Sequence, residues 1–242
     1  VASSTPGGAP TASLPVGVRT AITLAAPVGT YYVRVLATGA TWQGATSTSA
    51  SATTNSAATT ITVVTTGGGV AGTDYTNTGG ILTVKTGTSA SINASDIQAL
   101  LVNGDVVLGA DNVTVNASIT WATSSNLTLG SSSAGTVAIN ARITGSGISS
   151  GVRIRPATYA LSVKAGGSIV LSGFTPSLTI GGTSYTLIKS ESELSGIATT
   201  GTYALAKPLN LTTAYTTAVA NINFTGTFDG LGNTVSRMNI SA

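Results

Sequence analysis

Between residues 92 and 143 one short phrase is written three times: Ile92-Asn93-Ala94-Ser95, Val115-Asn116-Ala117-Ser118 and Ile139-Asn140-Ala141-Arg142. Their first residues lie 23 and then 24 positions apart. A second short apolar run precedes each copy, as Leu82-Thr83-Val84, Val106-Val107-Leu108 and Leu127-Thr128-Leu129. A repeat of this length made of short β-type runs constrains the fold more than any other feature. One unit has too little apolar surface to close a core alone, so it must bury its face against the next. The pattern predicts an all-β chain whose residues 61–242 form a right-handed parallel β-helix, a β-solenoid. Asn93, Asn116 and Asn140 hold the same place in each copy, where stacked amides form a ladder. Some eight coils, each rising about 4.8 Å, would give a rod of roughly 40 Å.

Composition narrows the class. Only 7% of the 242 residues are charged and 5% are aromatic. Val, Ile and Leu come in threes and fours, alternating with Thr, Ser and Asn, which suits narrow strands with one buried face. No apolar run approaches the roughly 18 residues that span a bilayer, so no membrane span is expected. The ten basic residues are scattered apart from Arg153 and Arg155, without the interleaved aromatics of a nucleic-acid surface. With no cysteine, the fold is not held by disulfides. No signal peptide is visible, and the expectation is a processed chain or a piece of a longer one.

Residues 1–13, rich in Pro, Gly and Ser, read as linker. Residues 14–58 read as part of a β-sandwich, with strands expected over 19–24 and 30–37. Two short helices are expected inside the solenoid. Ser95-Asp96-Ile97-Gln98 has capping-box form and predicts helical turns over 96–102, stopped at Asn103-Gly104. Ser190-Glu191-Ser192-Glu193-Leu194 places acids early, where a helix N-terminus favours them.

Two resemblances follow from particular residues. Pro27-Val28-Gly29-Thr30-Tyr31-Tyr32-Val33-Arg34-Val35 resembles the later strands of a bacterial fibronectin type III domain, with residues 44–52 standing where that family's last strand lies. A complete sandwich has about seven strands. The missing ones imply either a fragment, the preferred reading, or completion by strand addition from a neighbouring chain. Residues 81–242 resemble the repeat region of filamentous-haemagglutinin-like bacterial adhesins. The repeats carry that likeness, together with Tyr185-Thr186-Leu187-Ile188, Gly201-Thr202-Tyr203-Ala204-Leu205-Ala206 and the Gly-Leu-Gly-type motif from Phe224 to Ser236. Its structural residues are Phe224, Gly226, Phe228, Asp229, Gly230 and Gly232. Leu209-Asn210-Leu211 departs from the family's Asp-Ile-Asp element, and the Trp-containing insertion is absent.

The chemistry available is narrow. Without His and Cys, Ser-His and Cys-His catalysis and the common zinc sites are excluded. Asp105 and Asp111 are the best acid pair for glycoside chemistry, but they bracket a turn and read as turn acids. Asp229-Gly230-Leu231-Gly232-Asn233 lacks the acid spacing of a calcium loop and reads as a tight turn, with Asp229 as cap and positive φ at Gly230 and Gly232. No catalytic residue, cofactor or metal is expected. Trp121 reads as packed and Trp42 as exposed. The expectation is a non-enzymatic shaft segment of a secreted bacterial surface adhesin or extracellular fibre. Its partners would be copies of itself, neighbouring domains of the same fibre, or a host or cell-surface glycan. The alternatives are a self-assembling filament or surface-layer subunit and, behind it, a carbohydrate-binding or ice-binding β-helix. An ice face would need a regular Thr-x-Thr array, of which Thr60-Ile61-Thr62 is one isolated instance.

Overall fold

The structure, a computed structural model, describes residues 2–3, 29–33, 50–54, 57–215 and 223–240. The chain divides into two units, Val1–Ala57 and Ala58–Ala242. The expectations for residues 19–24 and for Trp42 lie outside the described residues.

In the first unit, Gly29–Val33 is the middle strand of a three-stranded antiparallel sheet, between Ala2–Ser3 and Ala50–Thr54. Ala2–Ser3 falls in the stretch expected to be linker. It is ordered by its pairing, because the edge of Gly29–Val33 offers main-chain donors and acceptors that a neighbouring backbone can satisfy. The last strand starts later than residue 44 and runs to Thr54.

The second unit is built of parallel ladders. Three sheets carry most of it, and the chain visits them in a constant order. Sheet I contains Asn112–Val115, Thr136–Ile139 and Ala160–Leu161. Sheet II contains Ile119–Trp121, Arg142–Gly145 and Ser168–Leu171. Sheet III contains Asn126–Leu129, Gly151–Ile154 and Ser177–Ile180. Each strand pairs in register with its counterpart 22 to 26 residues further along. Residues of one kind therefore stack in columns. Val115 lies opposite Ile139 and both are fully buried; Ile119, Ile143 and Ile169 form a second column; Leu108, Leu129, Ile154 and Ile180 form a third. Between these inward residues, alternate positions face out, the period-two signature of a pleated strand.

Trp121 is buried, as its spacing from Ile119 predicts, and its Nε1 donates to the Ser125 carbonyl at 2.8 Å. The next layer makes room for the ring with glycine. A Cβ on Gly145, the register partner of Trp121, would fall 2.8 Å from Trp121 Cζ2.

Sheet I holds the main departure from the sequence pattern. The first copy of the repeated phrase, on Ser89–Asn93, does not lie against the second. Thr60–Val64 is inserted between Ser89–Asn93 and Asn112–Val115, parallel to both. Val63 thus sits between Ile92 and Val115, and Ile61 and Val63 are fully buried. Thr-Ile-Thr-Val-Val has the same alternation as the repeats, so it fits a central position; nothing local distinguishes it from an edge strand.

In the layer that begins with Ser89–Asn93, a helix stands where later layers have the sheet II strand. This helix, α1, spans Ala94–Leu101, two residues earlier than expected. Its N-cap is Asn93 and no side chain caps it. Gln98, assigned to a capping box with Ser95, instead accepts the Thr120 amide at 2.9 Å and so ties the helix to sheet II. The second helix, α2, spans Glu191–Ser195 and does carry a capping box, between Ser190 and Glu193.

Sheet III continues through Val106–Leu108 to Ile81–Val84 and is closed at both ends by antiparallel strands, Tyr75–Thr78 and Thr183–Ser184. Five parallel strands lie between them, fewer than eight coils would require. Beyond Thr183–Ser184 the chain starts a second set of parallel ladders. Thr186–Ile188, Thr202–Leu205 and Thr227–Asp229 pair in sequence, followed by Leu209–Asn210 with Val235–Ser236 and Ala214–Tyr215 with Asn239–Ile240. A separate apolar cluster of Ile188, Leu194, Ile197, Leu205, Leu209 and Leu211 serves this part.

The column argument gives a direct test. Ile139→Ala should cost about 2–5 kcal/mol of unfolding free energy, because its neighbours in the layers above and below cannot collapse into the gap. Ile148→Ala, at a residue 67% exposed, should stay within about 0.5 kcal/mol. Denaturant titrations of the two variants compare them.

Candidate functional site

The residues with the most specific chemistry are the seven acids, and they do not converge. Each accepts hydrogen bonds from its own set of backbone amides, Asn amides or hydroxyls. Asp74 takes the Val70 amide, Asp96 the Asn93 side chain, and Asp105 the main-chain and side-chain nitrogens of Asn126. Glu193 takes the amides of Lys189 and Ser190. Asp105 and Asp111, the best candidate pair in the sequence, bind different layers. Asp111 Oδ2 accepts Thr59 N at 2.9 Å and Thr59 Oγ1 at 3.1 Å, and Asp111 N donates back to Thr59 Oγ1 at 3.1 Å. Its Oδ1 accepts Ser131 Oγ at 3.2 Å. Contrary to the expectation of turn acids, Asp105 and Asp111 join chain segments 20 to 52 residues apart. The amide bond from Thr59 is the largest cause holding the Asp111 carboxyl below its ordinary pKa.

Glu191 is the clearest acid of this kind that the sequence reading missed. From the first turn of α2 it accepts the amides of Thr212 and Thr213, the Thr212 hydroxyl, and Tyr215 Oη at 2.6 Å. The tyrosine bond is the largest cause of a carboxyl pKa lowered to about 2. Its position on the helix, one residue after the N-cap, was the available signal; its partners 21 to 24 residues away were not.

The Gly-Leu-Gly-type motif forms a docked turn. Asp229 Oδ1 accepts the Leu231 amide at 2.8 Å, and Tyr159 Oη donates to both Asp229 oxygens at 3.1 Å. Burial first, then the Asp229 charge, pushes the pKa values of Tyr159 and Tyr185 up. Positive φ falls on Leu231 (50°) and Gly232 (73°), not on Gly230. Leu231 accepts a conformation that costs a non-glycine residue roughly 1–2 kcal/mol. In return its side chain is buried in the main core and its carbonyl receives the Ile169 amide at 2.9 Å. Gly232 has no such latitude, since a Cβ there would lie 2.5 Å from the Gly167 carbonyl oxygen. Gly226 is similarly confined by the Gly201 carbonyl. Phe224 packs against Tyr203 with ring centroids 5.9 Å apart, whereas Phe228 is 39% exposed. Asn233, which the motif reading left unassigned, donates through Nδ2 to the carbonyls of Ile169 and Leu205, both at 2.8 Å. It thereby pins the motif to strands from both sets of ladders.

Of the three repeated asparagines, Asn140 Nδ2 donates to Asn116 Oδ1 at 2.8 Å. Asn93 is separated from Asn116 by Val64, and its side-chain oxygen accepts the Gly68 amide at 2.9 Å. The amide ladder is therefore a pair, because the inserted strand brings a valine to that column. The outward columns beside it read Ser89, Thr60, Asn112, Thr136 and Ser91, Thr62, Thr114, Ala138, so hydroxyls share the face with amide and methyl groups. Among aromatics weighed for sugar contact, Tyr75 and Trp121 are buried. Phe174, not singled out in the sequence, is 80% exposed, with Lys189 Nζ 5.9 Å from its ring centroid. Among the described residues there is no group of three or more acids, histidines or cysteines able to hold a metal ion, and no helix is long and apolar enough to cross a membrane.

No protein-family model, curated protein or solved structure matches this chain.

Two tests follow from these bonds. Asn233→Leu strands two carbonyls and should destabilise the chain by about 1–3 kcal/mol in denaturant titration. Glu191 has a lowered pKa, so its contribution is complete above its ordinary value of 4.5 and disappears as pH falls toward 2. Glu191→Gln should therefore lower the melting temperature at pH 7, and the difference from the parent chain should shrink steadily on acidification.

Proposed function

We propose that residues 58–242 form a right-handed parallel β-helix that serves as a non-enzymatic shaft segment of a bacterial surface adhesin or extracellular fibre. One observation carries this reading: from Asn112 to Ile180 the chain visits sheets I, II and III in the same order, and each strand is parallel to and in register with its counterpart in the next layer. Parallel strands joined by crossovers are right-handed in almost all proteins, which supplies the expected hand. Five layers at about 4.8 Å each would give roughly 24 Å of shaft. The acids support the same reading, because Asp105, Asp111, Glu191 and Asp229 are engaged in joining distant segments of the chain. The adhesin class rests on the likeness of residues 81–242 to filamentous-haemagglutinin-like repeats, and the extracellular, cell-surface location follows from that class.

Two measurements test the proposal separately. Small-angle scattering of the purified chain should contain the cross-section term typical of a β-helix; a scattering curve lacking that term would remove the shaft. Gold-labelled antibody to the chain should decorate the outside of intact cells that make it. Label found only after lysis would remove the surface fibre while leaving the fold untouched.

A further inference from the structure

The strand Thr60–Val64 is the first element of the second unit and an interior strand of sheet I, next to its edge strand Ser89–Asn93. It is the only strand of that sheet placed out of chain order between two others, Ser89–Asn93 on one side and Asn112–Val115 on the other. Both neighbours run parallel to it and in register. The main chain is held on both sides from its first residues: Thr60 N donates to the Thr88 carbonyl at 2.8 Å, Asn112 N to the Thr59 carbonyl at 2.9 Å, and Asn116 N to the Val63 carbonyl at 3.0 Å. Directly before the strand, Thr59 and Asp111 exchange three hydrogen bonds. Asp111 is itself fixed to the following layer, because its carbonyl accepts the Thr136 amide at 3.0 Å and its carboxylate the Ser131 hydroxyl. Inward, Ile61 and Val63 are fully buried.

From this arrangement we infer that Thr60–Val64 is a tensile anchor, the element through which pull on the preceding residues enters the ladder. Residues up to Ala57 join the second unit covalently through this strand. Where tension acts on the N-terminal end of Thr60–Val64, its component along the strand is met by both ladders. In-register neighbours on both sides then share the load among all their bonds at once, in shear. A strand at a sheet edge would have one such neighbour, and a strand pulled sideways would lose its bonds one after another. The Thr59–Asp111 exchange stands at the loaded end and passes force on to the layer of Thr136. Connecting the strand in chain order would have put it at the edge; its insertion gives it two partners. The inference rests on the register of sheet I and is independent of the adhesin reading.

Single-molecule pulling on the full chain tests it. The native sequence has no cysteine, so one introduced thiol gives a unique handle against an N-terminal tether. Ser118→Cys lies beyond the far end of the neighbouring strand Asn112–Val115 and loads Thr60–Val64 in shear. Ser133→Cys lies just before Thr136–Ile139, at the near end of the same ladder, and peels it. The shear handle should give a severalfold higher rupture force than the peeling handle. Asp111→Ala should lower the shear force and leave the peeling force nearly unchanged. If that variant loses its strand spectrum, Thr59→Val, which removes only the hydroxyl, should lower the shear force by a smaller margin. Equal forces in the two geometries, or a shear force untouched by a folded Asp111 or Thr59 variant, would overturn the inference. Neither result would bear on where the protein is located.

Discussion

The parallel main-chain ladder is the constraint from which the rest of the second unit follows. Once Val115 lies beside Ile139, the positions of Val113, Ala117 and Ile119 relative to the next layer are set, because a slip of one residue would turn every inward side chain to solvent. Variation is pushed into the corners, where the repeat ranges from 22 to 26 residues without disturbing the columns. The same constraint explains Gly145, whose missing side chain is the space that Trp121 fills in the layer before it.

A ladder that satisfies each strand from both sides leaves its last strands with unpaired main-chain groups. Sheet III meets this with a short antiparallel strand at each end, Tyr75–Thr78 and Thr183–Ser184. Sheet I uses loop backbone at its Ser89–Asn93 end, where Gly69 N donates to the Ser91 carbonyl and Gly68 N to Asn93 Oδ1. Close approach here requires glycine, since a Cβ at Gly68 would meet Asn93 at 2.7 Å. Sheet II passes its bonds on to the C-terminal ladders, through Ile169 to Leu231 and Leu171 to Ala206. The Gly-Leu-Gly-type motif is thus part of the closure of the main core as well as a turn in its own right.

The scarcity of charge has a counterpart in how charge is used. The carboxylates accept from amides and hydroxyls, and several of them join distant segments at the corners and turns. Bonds of this type respond to acid more than to salt: protonation removes the charge that strengthens them, whereas screening acts chiefly on separated exposed charges. A chain held in this way keeps its shape across ionic strengths and loosens at low pH, the contributions of Glu191 and Asp111 fading as pH falls below the ordinary carboxyl range and ending where these groups lose their ionised form.

Period and alternation were enough to read the parallel stacking, the inward columns and the burial of Trp121, and local capping signals pointed to both helices, because these depend on spacing within a few residues. The motif from Phe224 to Ser236 was legible as a turn capped by Asp229. What the sequence could not contain was which segments meet. Thr60–Val64 reads like any other alternating strand, and only the packed sheet inserts it between Ser89–Asn93 and Asn112–Val115, breaking the asparagine ladder at Val64. The partners of Glu191, Asn233 and Asp111 lie 20 to 64 residues away. The positive φ at Leu231 in place of Gly230 is likewise a tertiary outcome. Local sequence sets a residue's preference; burial of the Leu231 side chain and the Ile169 bond outweigh it.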